Sequence, residues 1–418
     1  MNLHIKNGRV IDPATGKDGS GDLFVSDGKL SEKTKPDRVI DAKGLVVAPG
    51  LIDLSARLRE PGYEYKATLE SEMEAAVAGG VTSLACPPDT DPPLDEPGLV
   101  DMLRRRAKAL SRARVYPVGA LTVKLAGEAL TEMGQLAAAG CVAFSQANTA
   151  LVDTQVLWRA LQYAATFGFP VWLRAEDAWL AKGGVAHDGE VATRLGLPGI
   201  PAFAETIALS TILELVRATG ARVHVCRLSS AGAVELMRRA KEEKLPVSCD
   251  VAIHHVHLCD MDLGYFDSHC RLEPPLRSQR DRDALSRGLA DGVIDCLCSD
   301  HTPVDEDGKH RPFAQAEPGA TGLELLLPLT LKWGQARGLG LAATLARITS
   351  EPARILGVAS GRLAAGAPGD LVVFDPAAPF KVTPEALKSQ GKNTPFLGYE
   401  LTGRARYTIV AGNVAYEG

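Results

Sequence analysis

Residues 205–252 read ETIALSTILELVRATGARVHVCRLSSAGAVELMRRAKEEKLPVSCDVA. Two patterns alternate within this stretch. Apolar residues at helical spacing fill 205–219 and 233–243, and short apolar, β-branched runs fill 222–228 and 246–252. Gly220 stands where the first helix should end, a place that suits a left-handed cap. The same alternation continues in both directions. Strand-like runs occupy 51–58, 81–87, 114–120, 141–145, 170–176 and 294–300, which brings the number of strands to eight. Helical patterns lie between them at 69–78, 100–110, 131–139, 154–166 and 281–290, with Gly79-Gly80, Gly140 and Gly168 at or near their ends. Eight strand-and-helix units over about 300 residues predict an α/β fold, a closed (β/α)8 TIM-type barrel. An open doubly wound sheet is the alternative, but no Gly-x-Gly-x-x-Gly follows the first strand, which weakens a dinucleotide-binding version of it.

The ends of the chain read differently. Residues 1–48 and 361–418 are short strands and turns, such as Asp22-Leu23-Phe24-Val25 and Asp370-Leu371-Val372-Val373-Phe374. Neither end is long enough for a domain alone. Together they are expected to form one small β-domain bracketing a barrel at 49–360.

Composition narrows the class. The chain has 418 residues, 45% hydrophobic and 23% charged, which suits one large domain with a smaller one. Its net charge is −5 and it has no long Lys/Arg run, so no nucleic-acid partner is expected. The first residues lack a basic segment followed by an apolar stretch, and no run of about 18 apolar residues occurs. The expectation is a cytoplasmic protein without membrane contact. The eight cysteines are spaced too irregularly for a disulfide framework and read as reduced, mostly buried thiols. Cys296 and Cys298 should share one face of a strand, where small core side chains are the simpler reading and a metal the other.

Residues 49–62, PGLIDLSARLREPG, resemble the first-strand signature of dihydroorotases, Pro-Gly-x-x-Asp-x-His-x-His-x-Arg-Glu-Pro-Gly. The resemblance runs nearly the full length. It includes Gly79-Gly80-Val81-Thr82, Cys86-Pro87-Pro88-Asp89-Thr90, Val142-Ala143-Phe144-Ser145, LGLPGIP at 195–201, Pro274-Pro275-Leu276-Arg277, Ser299-Asp300-His301-Thr302-Pro303 and Asn393-Thr394-Pro395-Phe396. The resemblance implies a barrel whose mouth holds zinc, with an Asp at the end of the last strand moving a proton.

The positions implied to hold that metal are altered. Ser55 and Arg57 replace the His-x-His pair, Gln146 replaces an acid after the fourth strand, and Arg174 and Arg227 replace histidines on the fifth and sixth strands. Only Asp300 remains. Guanidinium stays protonated and has no lone pair to offer, so no metal cofactor is expected and Asp300 reads as vestigial. Of the positions implied to bind substrate, Arg59 is retained, whereas Asp89 and Glu273 stand where the family has Asn. Arg57, Arg174 and Arg227 should converge. They would form either an internal ion-pair network with Asp53, Glu176, Asp177 and Asp300 or an anion-binding cluster. The stretch from His254 to Cys259 is the only dense run of other possible ligands.

The altered site leads to an expectation of a non-catalytic relative. By resemblance, it would assemble with the catalytic chain of aspartate carbamoyltransferase in pyrimidine biosynthesis, as a structural or regulatory subunit of a hetero-oligomer. One alternative is an active metal-dependent dihydroorotase or cyclic amidohydrolase with an altered site. Another is a sensor of an acidic metabolite such as carbamoyl aspartate.

Overall fold

The computed structural model describes residues 1–418. Eight parallel strands form the barrel, each paired with the next in chain order: Leu51–Asp53, Val81–Cys86, Arg114–Ala120, Ala143–Ser145, Val171–Leu173, Val223–Val225, Val247–Ala252 and Cys296–Cys298. The ring closes through a parallel bridge between Ala56 and His301. Arg57 N donates to the His301 carbonyl (2.8 Å) and His301 N to the Ser55 carbonyl (3.0 Å). The run at 51–58 is therefore a regular strand only over Leu51–Asp53. Beyond it the chain stays extended, because Ala56 also donates to the Ala85 carbonyl (3.1 Å) and so joins the first pair of strands to the last.

The helices fall where apolar spacing predicts them, at Leu69–Ala78, Pro97–Leu110, Met133–Ala139, Thr154–Phe167, Ala202–Thr219, Ala231–Glu242 and Gln279–Ala290. Their ends follow local chemistry. Asp153 and Ser230 accept backbone N–H groups at two helix starts, and Gly140, Gly168 and Gly220 close three helix C-termini with φ of 113°, 71° and 68°. Gly79 is required for a different reason. Its φ is ordinary, but a Cβ there would lie 2.4 Å from the Leu323 carbonyl oxygen. The helix Leu326–Ala336 escaped the reading of the sequence. It is buried over most of its surface, so it has no polar stripe to mark its period, and Pro328 and Gly334 lie within it.

Both chain ends join one eight-stranded sheet. Val46–Pro49 is its hinge strand, parallel to Leu3–Asp12 on one side and antiparallel to Leu371–Lys381 on the other. Leu371 and Val373 face a core of 12 residues within this sheet, and Val372 and Phe374 face the 78-residue core shared with the barrel. The alternation of strand side chains thus ties the two bodies together. All eight cysteines are free thiols and seven are buried. Cys296 and Cys298 point into the barrel with Ile52, Leu54, Ala85 and Trp172. No helix is long and apolar enough to cross a membrane.

Candidate active site

The mouth of a (β/α)8 barrel lies at the C-terminal ends of its strands, where side chains from different strands meet. Asp300 occupies that position after the last strand, buried, with left-handed backbone (φ 46°). Its Oδ1 accepts from Ser55 Oγ (3.2 Å), Arg57 Nη1 (3.2 Å) and Arg227 Nη1 (3.0 Å), and its Oδ2 takes no bond from the protein. Burial works to raise its pKa. The Arg227 and Arg57 charges outweigh burial and hold the carboxyl below its ordinary value.

Asn148 ties the two arginines together. Its Oδ1 accepts from Arg57 Nη2 (3.0 Å) and Arg227 Nη2 (2.6 Å), and its Nδ2 donates to Glu273 (3.1 Å). Arg57 also donates through Nε to Asp89 (2.7 Å) and through Nη1 to Thr302 Oγ1 (3.1 Å). Burial would raise Asp89 too, but Arg57 and then Arg59 and Arg227 hold it low. The two acids expected beside a substrate carboxylate are thus engaged, Asp89 with Arg57 and Glu273 with Asn148 and, at 3.5 Å, Arg174.

The arginines converge only in part. Arg174 does not reach Asp300. It forms a two-pronged pair with Glu176 (2.6 and 2.7 Å) and bonds the Asn148 carbonyl. The other acids expected in the network lie outside it. Asp53 is fully buried against Ser299 N (2.9 Å) and Ser299 Oγ, its pKa pushed up to about 6 by burial. Asp177 caps the short helix Ala178–Ala181. Gln146 turns away from the mouth to Thr122 and the Leu125 carbonyl.

Arg59 differs from its neighbours. Its Nε donates to the Pro303 carbonyl (2.8 Å), its guanidinium lies 5.8 Å from the Tyr63 ring, and no carboxylate stands within 4.0 Å of it. Burial and the nearby Arg57 charge pull its pKa down, an imbalance that an incoming anion would relieve. Arg59, Ala147, Arg227 and Asp300 all hold positive φ. Such backbone costs on the order of 1–3 kcal/mol per residue and gathers where ligands are held.

A zinc ion does not fit these residues. Of Ser55, Arg57, Gln146, Arg174, Arg227 and Asp300, only Asp300 offers a charged donor, and two permanent cations already bond it. His254 and His255 are buried and pushed down to about 4 and 3 by burial, and the stretch to Cys259 gathers no group of three ligands. The one such group is His224, Cys226 and Asp250. Both His224 nitrogens are already engaged, with Ser248 (2.8 Å) and Asp250 (2.9 Å), and Asp250 also accepts from Arg227 N (2.6 Å). Sequence reasoning missed Asn148 as the hub of the mouth, because nothing at that position distinguishes it from any loop asparagine.

Comparison with known proteins agrees with this architecture. Residues 44–233 match the family described as dihydro-orotase-like, and residues 185–416 match the amidohydrolase family. A dihydroorotase-like protein of Pseudomonas aeruginosa is 45% identical, with 100% of each chain covered. A dihydroorotase of a Geobacter species is 41% identical, again over 100% of both chains. The L-hydantoinase (dihydropyrimidinase) of Arthrobacter aurescens superposes with a TM-score of 0.87 at 26% identity, covering 99% of this chain and 96% of the other. These matches correct the expectation of a chain without catalysis. Full-length relatives at 40–41% identity carry the name of an enzyme, and so does the structural match. The physical reason is that a changed ligand set removes one way of activating water. It leaves a carboxylate and charged donors at the mouth.

Proposed function

We propose, because this chain belongs to the amidohydrolase family among its dihydroorotase-like members, that it is a cyclic amidohydrolase with an altered site, acting on a small anionic cyclic amide of the dihydroorotate type. The observation that carries this reading is Arg59, the guanidinium at the mouth without a carboxylate partner. It is the group available to the ligand's carboxylate. Asp300, just after the last strand, then stands to take a proton from water as the water oxygen bonds to the ring carbonyl carbon. The carbonyl–nitrogen bond breaks and the ring nitrogen receives that proton. Arg57 and Arg227 are donors that can face negative charge building on the carbonyl oxygen. No step runs through a metal. A carboxylate held at low pKa is a weak base, so turnover is expected to be slow and indifferent to chelators.

The test is dihydroorotate hydrolysis and carbamoyl aspartate cyclisation by the purified chain, with and without a chelator. Arg59→Met should raise KM about tenfold or more, the loss of a hydrogen bond to a charged group worth roughly 1.5–3 kcal/mol. Asp300→Asn should lower kcat instead. Absence of turnover, or equal turnover in Asp300→Asn, would overturn the reading.

The association with the catalytic chain of aspartate carbamoyltransferase is part of the same proposal. Trp179, Phe203, Ile207 and Val152 support it, large apolar side chains exposed by 69%, 54%, 46% and 59%. Three of them, Val152, Trp179 and Ile207, border one cavity that Arg174 and Glu176 also line. Separate elution of the two proteins at physiological concentration would remove it.

A further inference from the structure

The third barrel strand begins at Arg114, so the end of the barrel opposite the mouth lies there. At that end, the last turns of the helix Pro97–Leu110, the start of this strand and the turn at Val410–Asn413 enclose a groove of about 560 Å3. That volume is within the range of small-molecule sites, about 300–1,000 Å3. Five cations line it, Arg104, Arg105, Lys108, Arg112 and Arg114, against one acid, Asp101.

Two of the five are neutralised by the protein. Arg114 forks onto the buried Asp370 (3.0 and 3.2 Å), and Arg112 pairs with Glu74 (2.9 Å). The other three are not. Arg104 donates to the Ala139 carbonyl (2.6 Å) and meets no carboxylate within 4.0 Å, and the side chains of Arg105 and Lys108 make no hydrogen bond or ion pair. All three are exposed. They stand at i, i+1 and i+4, so Arg104 and Lys108 are like charges one helical turn apart, which weakens a helix by about 0.2–0.5 kcal/mol. Unpaired cations thus crowd a concave surface in a chain whose net charge is −5.

We infer that this groove binds a small molecule carrying a run of phosphate groups, either a nucleoside triphosphate or a free polyphosphate. Several cations along one helix face match several linked anionic groups better than a single carboxylate, and guanidinium forks suit phosphate oxygens. The turn at 410–413 borders the groove, and the net negative charge of the chain disfavours a long polyanion, so a short phosphate chain is the better match.

The test uses the full chain in calorimetric titrations with sodium triphosphate and with ATP at physiological ionic strength. A binding readout keeps it independent of turnover at the mouth. One saturable site per chain is expected, with affinity that falls as salt rises. The double variant Arg105→Glu, Lys108→Glu, at two exposed positions, should lose about tenfold or more in affinity. Tighter binding of ATP identifies a nucleotide site, and equal binding identifies a polyphosphate site. No saturable binding up to about 1 mM, unchanged affinity in the double variant, or binding of a duplex oligonucleotide in preference to both would overturn the inference.

Discussion

At the scale of single residues, the mouth is governed by how charge is paired. Asp300 answers two buried guanidiniums with one oxygen, and Asp89, Asn148 and Thr302 take what remains of Arg57. Removing one partner of a buried pair leaves the other charged and unsatisfied, which costs roughly 3–5 kcal/mol. Asp300→Ala should therefore lower the unfolding free energy by about that much in urea titrations. A loss below about 1 kcal/mol would mean that Asp300 is dispensable to the network. Much of this was legible in the sequence. The motif placed Arg57, Arg227 and Asp300 on strands whose ends must meet. The two-pronged Arg174–Glu176 pair follows from a spacing of two on extended chain, which points both side chains the same way. The position of Asn148 was not legible, because it depends on the path of a loop. Nor was the separation of Asp53, which a serine neighbour across the barrel seam takes up before any arginine can.

Among the elements, the turn Ile253–Val256 after the seventh strand carries the clearest acid sensitivity. His254 and His255 sit in it fully buried, each with an unpartnered Nδ1, and desolvation depresses both. The folded chain keeps them neutral where the unfolded chain, with pKa about 6.5, already binds protons. Stability from this turn is intact above about pH 6.5 and is lost as pH falls towards 4. Asp53 works in the opposite sense, since a folded pKa raised to about 6 lets the folded state take its proton first. His255→Gln should flatten the decline in urea midpoint between neutral and mildly acid pH. An unchanged slope would show that the turn does not set it. Elements with an exposed face announced themselves by period, as Thr154–Phe167 and Ala231–Glu242 did. Leu326–Ala336 did not, because burial on most sides erases the contrast on which periodicity depends.

For the whole molecule, the two chain ends and the barrel share side chains across one core, Val372, Phe374, Leu401 and Val410 among them. Asp370 adds a polar tie, accepting from Arg114, Ser360 and Ala411 N. Unfolding should follow one transition, with circular dichroism and tryptophan fluorescence coincident. Two resolved transitions would mean that the end sheet and the barrel melt apart. The barrel was legible from eight repeats of one pattern, and the shared sheet only as a possibility, since pairing between residues so far apart leaves no local mark. The sealed thiols give this cooperativity a clock. Cys86, Cys141 and Cys270 are pushed up to about 12 by burial, and Cys296 and Cys298 line the barrel interior. A thiol held protonated and out of reach reacts with an alkylating reagent only when the surrounding wall opens. The order in which these cysteines become labelled under native conditions would rank the seams of the molecule by how often each comes undone.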